Sequence, residues 1–294
     1  MAAVVAVAPA RPPRSRRAKA VRRHVAIYLG LVPFLVIAVF PLFWMAITAL
    51  KQEPDLYRMD IVPFWFHLPP TWKNFDFLFA RTFYKDWIVN TMAISAWVSA
   101  ITLLTAVPAG YALARLRLRF AENLGIGIFM TYLVPGIVLF IPLARVVSTL
   151  GLQDQWWSLV VIYPTFTIPF CTWLLMGFFK TVPFEIEEAA MIDGCGQLGA
   201  LVRTVLPVSW PGLITAVIFS FTLSMQDFLY SLAFVSISEQ KPVPLGVATE
   251  LIRGDVYFWG SLMAGALLVG VPVAIVYNVF LDKFISGITG AAVK

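Results

Sequence analysis

The sequence predicts an all-α integral membrane protein with six transmembrane helices and both termini in the cytoplasm. Three observations carry that prediction. Of the 294 residues, 60% are hydrophobic and 13% charged, and the mean hydropathy is +0.83. Soluble domains run at about 45–50% apolar and about 25% charged. Six apolar runs reach the roughly 20 residues that cross a bilayer. Basic residues collect before the first run and between the second and third, which orients the chain.

The head, residues 1–24, is rich in Ala, Pro and Arg, lacks apolar periodicity and is expected to be disordered. It holds Arg11, Arg14, Arg16, Arg17, Lys19, Arg22 and Arg23 and no acid; without these seven cations the net charge of +6 becomes −1. The basic balance is therefore a cytoplasmic flank and gives no reason to invoke nucleic acid. The apolar run behind it exceeds the about 7–15 residues of a signal-peptide core, so it reads as an uncleaved first span.

A single transmembrane domain, residues 25–294 with a core at about 86–284, follows the head. Its spans are expected at 25–50, 87–113, 123–147, 156–179, 212–237 and 257–280. Pro33, Pro41, Pro108, Pro135, Pro142, Pro164, Pro169 and Pro272 fall within them. Membrane helices tolerate such prolines where neighbours satisfy the freed carbonyls. Segment 51–86, rich in Pro and aromatics, is an external cap with a short interfacial helix. Segment 114–122 is cytoplasmic, with Arg115, Arg117 and Arg119 against Glu122. Segment 180–211 is then cytoplasmic and 238–256 external. Cys171 and Cys195 have no metal-ligand spacing and read as inert thiols. His24 and His67 lie outside the spans.

Segment 180–211 is acidic in an otherwise apolar chain, with Glu185, Glu187, Glu188 and Asp193. Pro183 suits a first helical turn, the glutamates favour the positive end of the helix dipole, and Gly194 is a natural stop. A second helix is expected at about 197–205, ending before Pro207. Ala189, Ala190 and Gly194 leave one side nearly bare, a surface that lets another backbone come close.

EAAMIDG (residues 188–194), nine residues and then Thr-Val-Leu-Pro resembles the EAA loop of type I ABC importer permeases. Glu188, Ala189, Ala190, Gly194, Leu206 and Pro207 match that pattern; Thr204 stands where the family usually has Ile or Val. The resemblance spans roughly residues 25–294 and is nearest to the carbohydrate-uptake branch typified by the maltose permease G subunit. WIVNTMAIS (87–95), with Asn90, SFTLSMQDFLYSLAFVS (220–236) and FISGITGAAVK (284–294) resemble stretches of that branch. Gln226 and Asp227 replace the branch's frequent Asn-Glu pair.

The resemblance implies a type I ABC importer permease fold in a bacterial or archaeal cytoplasmic (inner) membrane. It implies that Glu187, Glu188, Ala189, Ala190, Asp193, Gly194, Leu206 and Pro207 couple the chain to a cytoplasmic ATPase. It further implies two copies of that ATP-binding subunit, a second permease subunit in a heterodimer, and an extracytoplasmic solute-binding protein. The chain has no Walker A sequence, so it is expected to be no enzyme and to bind no cofactor itself, ATP and Mg residing on the partner. Glu239, Gln240, Lys241, Pro242, Val243 and Pro244, within a stretch of about 239–247, are expected to meet the binding protein.

Asn90, Gln226, Asp227 and Tyr230 are the candidate translocation residues. Asp227 is the one acid deep within an expected span, where a charge costs about 2.5–3.5 kcal/mol. Two readings stand open: a pathway or gate residue, and a structural hydrogen bond. For Asn90 and Asn278 the plainer reading is an interhelical hydrogen bond, worth roughly 0.6 kcal/mol on average. Trp156, Trp157 and Tyr163 fit an interface belt better than a sugar-stacking platform.

The function expected is sugar import, of mono-, di- or oligosaccharides, by alternating access. The alternatives are the same machinery for glycerol-phosphate, a polyol or an amino sugar, and an ion-coupled secondary carrier. The carrier would need paired buried ionisable groups or repeat symmetry, and neither is seen.

Overall fold

The computed structural model describes residues 14–58, 62–116 and 119–292, with side chains from residue 21 to residue 281. Residues 1–13 of the head, Asp60, Arg117 and the final residues 293–294 lie outside the described residues, as do the side chains of the FISGITGAAVK tail.

The chain is helical almost throughout. Helix α1 runs Arg14–Leu50, α2 Glu53–Tyr57, α3 Lys73–Arg81, α4 Tyr84–Arg115, α5 Ala121–Tyr132 and α6 Gly136–Thr149. They are followed by α7 Trp157–Ile162, α8 Pro164–Thr181, α9 Phe184–Ile192, α10 Gln197–Ala200, a π turn Leu201–Val205 and α11 Leu206–Val208. Helix α12 is Trp210–Gln226, α13 Leu229–Phe234 and α14 Val243–Glu250. A small antiparallel hairpin of β1 (Ile252–Arg253) and β2 (Val256–Tyr257) precedes α15, Trp259–Ala292.

Among the described residues four helices are long and apolar enough to cross a membrane, Val21–Leu50, Tyr84–Arg115, Trp157–Thr181 and Trp259–Leu281, and counting each of two bent helix pairs as one span gives up to six. The structure changes three expectations. Residues 14–24 of the basic head are helical and continue directly into the first span, because nothing in RSRRAKAVRRH breaks a helix. The third span is not one straight helix: α5 and α6 meet at 88°. Pro135 lacks an N–H and pushes Val134 out of helical conformation. The N–H groups of Leu133 and Val134 close the turn onto Met130 and Thr131 instead. The fifth run, expected through residue 237, ends as a helix at Gln226, passes Asp227 in extended conformation, and restarts at Leu229.

Helix α4 is the spine. Its N-terminal end contributes Tyr84 and Trp87 to a core shared with Ala49, Leu78, Val243, Leu251 and Ala264. Its middle places Ile94 and Val98 against Leu159, Tyr163, Tyr230 and Leu245. Its C-terminal end packs Ala106 and Tyr111 against Leu174, Phe179, Leu201, Val205 and Ala216. Ser95, Ser99, Thr102, Ala106 and Gly110 form a small-residue face along it, all buried. Small residues let membrane helices approach closely. At Gly110 a Cβ would sit 3.0 Å from the backbone nitrogen of Met176 on α8. Hydroxyl pairs lie in the same seam, Thr102 with Thr167 at 2.5 Å and Ser220 donating to Ser99 at 3.1 Å.

Segment 51–86 is held together and to α1 by hydrogen bonds. The Asp55 carboxylate accepts the N–H groups of His67 and Leu68, each at 3.0 Å. Asn74 donates to the carbonyls of Ala49 and Lys51, each at 2.8 Å. These bonds pin the segment to the end of α1.

Candidate functional site

The acidic segment folds as helix, bend, helix. Pro183 stands at the N-cap of α9, one place before the expected first turn, and Glu185 and Glu187 occupy that turn. Asp193 is the C-cap and Gly194 takes φ +92°. The N–H of Gly194 reaches the Met191 carbonyl at 3.1 Å and that of Cys195 reaches Ala190 at 3.0 Å. This paired closure is a Schellman motif, and its left-handed residue is nearly always glycine. The second helix does not stop before Pro207 as expected; it continues to Val208. Pro207 carries no N–H and its ring would crowd the Arg203 carbonyl in an α-helix. The π turn, closed from the Leu206 N–H to the Leu201 carbonyl, widens the backbone just there. At Ser209 the chain then turns by 82° into α12.

The segment has two faces. Glu188, Ala189, Asp193, Gly194 and Pro207 are exposed, alongside Ile192 (85% exposed), Leu198 and Val202. Ala190, Leu201 and Val205 are buried, and Leu206 packs against the core at the C-terminal end of α4. Glu187, expected to face a partner with the other coupling residues, points the other way and is 5% exposed. Its carboxylate accepts a hydrogen bond from the Tyr111 hydroxyl and lies 3.3 Å from Arg115 Nε. Arg115 Nη2 donates to the Val182 carbonyl at 2.5 Å, and the guanidinium sits 4.2 Å from the centre of the Phe184 ring. Helix α9 is thus fastened to the C-terminal end of α4. Sequence reading missed Tyr111 and took Arg115 for a charge flank. Their four-residue spacing, which puts both on one helix face, was the available signal.

Two of the candidate translocation residues serve the same junction inside the chain. Asp227 Oδ2 accepts the Tyr163 hydroxyl at 2.8 Å and the N–H groups of Tyr230 and Ser231 at 3.1 and 3.2 Å. It is therefore the cap of α13 and a tie to α8, which supports the structural reading of this acid. Tyr230 is buried and donates to the Gly136 carbonyl at the bend of the third span. Asn90 is also spent internally, donating to the carbonyls of Glu239 at 2.7 Å and Lys241 at 3.1 Å. Gln226 alone of the four is exposed.

The loop expected to meet a binding protein is largely fastened down. Lys241, Pro242 and Val243 are buried, Gln240 and Pro244 are half-buried, and Glu239 is exposed. Trp87 Nε1 donates to the Ser238 carbonyl at 2.7 Å, and the Val243 N–H donates to Thr91 Oγ1 at 2.8 Å. Lys241 Nζ and Ser238 Oγ each lie 2.6 Å from Glu250 Oε1. Burial alone would push the Glu250 carboxyl up; the hydrogen bonds from Lys241 and Ser238 and the charges of Lys241 and Arg253 outweigh it and hold it below its ordinary value. The exposed element on this side is the hairpin, whose residues 253–257 are all exposed.

Among the described residues no group of His, Cys, Asp and Glu could hold a metal ion.

Residues 106–290 match the family described as binding-protein-dependent transport system inner membrane component. The chain is 34% identical over 261 residues to the sulfoquinovosyl glycerol transport system permease protein SmoH of Agrobacterium fabrum, covering 88% of this chain and 90% of that one. It is 25% identical over 277 residues to the trehalose/maltose transport system permease protein MalG of Thermococcus litoralis, covering 93% and 98%. Its fold is similar to a solved bacterial ABC transporter involved in the import of the acidic polysaccharide alginate, with a TM-score of 0.74 over 94% of this chain and 99% of that chain at 19% identity.

Proposed function

We infer the function from one premise: the chain belongs to the family of inner membrane components of binding-protein-dependent transport systems. It is a multi-pass inner-membrane permease subunit of an ABC importer, and such a subunit works with a separate ATPase and a binding protein. The solute it carries is a sugar, from mono- to oligosaccharide. The names of the relatives, which carry sulfoquinovosyl glycerol, trehalose, maltose and galactooligosaccharides, support that class.

The permease pairs with a second permease subunit as a heterodimer above two copies of the ATP-binding subunit, which hold ATP and Mg. The observation that carries this reading is the two-faced acidic segment. Its outer face, with Glu188, Ala189, Gly194, Ile192 and Leu198, is a small-residue, apolar and acidic surface suited to a cleft on the ATPase. Its inner face is joined to α4 through Glu187, Arg115 and Tyr111. Closure of the ATPase dimer pushes on the outer face, and the buried joint passes that displacement to the spine of the permease. Alternating access follows, the path opening inward at rest and outward when the ATPases close. On the external side the hairpin at Gly254, rather than the buried stretch 241–243, is the segment free to meet a binding protein.

Gentle detergent extraction of the tagged chain from its native membranes, with mass spectrometry of what accompanies it, tests the reading. Recovery of an ATP-binding subunit and a second permease is the expected result, with the ATPase lost in Gly194→Trp. A lone chain, or a homo-oligomer without an ATPase, would overturn it and favour the ion-coupled carrier.

A further inference from the structure

We propose that the interrupted end of α12 is a solute-binding ledge, on which Gln226 and the backbone carbonyls beside it receive the hydroxyl groups of the transported sugar. The proposal rests on the importer reading and names a site for it within this subunit.

The fifth apolar run breaks at Asp227 and Phe228, well inside a segment that would otherwise span. Helix α12 ends there with Asp227 in extended conformation as its C-cap, and none of the hydrogen bonds of the described residues serves the carbonyls of Ser224, Met225 or Gln226 outside the helix itself. The last carbonyls of any helix lack intrahelical partners. In hydrocarbon each such group costs several kcal/mol, so irregular backbone at membrane depth persists only against protein or along a water-filled cavity. The break is also a built feature, not a frayed end. Asp227 caps the next helix and is tied to Tyr163 of the fourth span, while Tyr230 is tied to Gly136 at the bend of the third. The interruptions of the third and fifth spans are held to the fourth by two tyrosines and one aspartate.

That network uses up Asp227, Tyr163 and Tyr230 and leaves one polar side chain unspent. Gln226 is exposed, and no hydrogen bond ties it to the described residues. Beside it the ring of Phe228 is 40% exposed. An amide offers both donor and acceptor, the carbonyls offer acceptors, and an aromatic ring offers a face to C–H groups. This set matches a neutral polyhydroxyl solute. It carries no cation that would favour a phosphate.

The test uses the assembled importer with its partner subunits in native membrane vesicles, and a panel of radiolabelled neutral and acidic sugars from mono- to trisaccharides. The wild-type complex should take up at least one member; failure of the whole panel would sink the sugar reading itself, and the ledge with it. For the sugar that is carried, Gln226→Leu should raise the apparent KM of uptake about tenfold, the scale of one lost hydrogen bond with its partner left unpaired. Gln226→Asn should recover part of that loss, and complex yield should be unchanged. Leu232→Ala, on an exposed position of α13, should leave KM as it was. An unchanged KM in Gln226→Leu overturns the ledge while leaving the importer reading intact. A fall in complex yield also overturns it, because Gln226 would then be a contact between permease subunits.

Discussion

Arg115 and Glu187 form an ion pair whose side chains are 1% and 7% exposed, and each depends on the other to stay buried. Removing one partner of such a pair costs about 3–5 kcal/mol because the other charge is left uncompensated, whereas replacing both by apolar groups can be neutral. Glu187→Leu should therefore lower the Tm of the purified complex sharply, and Arg115→Met/Glu187→Leu should restore most of it. Uptake should stay lost in the double variant, because the hydrogen bonds from Tyr111 and to Val182 that aim α9 are gone. A double variant that regains both Tm and uptake would make the pair merely structural. Glu250 gives a second prediction, this one in pH. Its carboxyl is held below the ordinary 4.5 by Lys241, Ser238 and Arg253, after burial has been overcome. A depressed acid contributes stability above its unfolded pKa and loses it as pH falls through the folded value. Acidifying the medium around the Glu250 face below about pH 4.5 should thus loosen α14 in the wild type. The matching acid-dependent rise in proteolysis of the 238–250 segment should be smaller in Glu250→Gln.

The helices were legible in the sequence because apolar length alone specifies a membrane helix, and the Gly194 stop was legible because a left-handed residue has almost one solution. What escaped was where each helix stops being straight. Pro135 and Pro164 look alike in sequence; Pro135 sits at an 88° bend, while Pro164 begins α8 with its missing N–H at no cost. Asn90 escaped for a related reason. A polar side chain in an apolar run announces a hydrogen bond but not its partner, and here the partners are carbonyls about 150 residues away, at Glu239 and Lys241. The element it controls is the loop between α13 and α14. Asn90→Leu strands two carbonyls and should destabilise that loop by about 1–3 kcal/mol. Limited proteolysis from the external side should show cleavage near Glu239 well before the wild type is cut. Equal protection in both would mean that Trp87 and Thr91 hold the loop unaided.

At the scale of the whole molecule the three cores lie in series along α4, from Trp87 through Val98 to Tyr111. This arrangement makes α4 a strut between the acidic segment at one end and the loop between α13 and α14 at the other. A strut can fail in two ways, and the fold separates them. Gly194 has nothing within 4 Å of where a Cβ would stand, so a side chain there starts into open space and meets first the strain of its positive φ. Gly194→Trp should remain in the membrane, lose the ATPase on purification and lose uptake. Gly110 is the opposite case: a Cβ there would stand 3.0–3.2 Å from backbone and Cβ atoms of α8. Gly110→Leu wedges α4 from α8, at the cost of about 1–3 kcal/mol typical of overpacking. It should lower the Tm, keep the ATPase bound and lose uptake, since the docking face is untouched while the path behind it is sprung. Coupling thus divides into docking, read by co-purification, and transmission, read by uptake at constant docking. If both variants lost the ATPase equally, the seam between α4 and α8 would be shaping the docking face, and the joint at Glu187 would not be the point where force enters the permease.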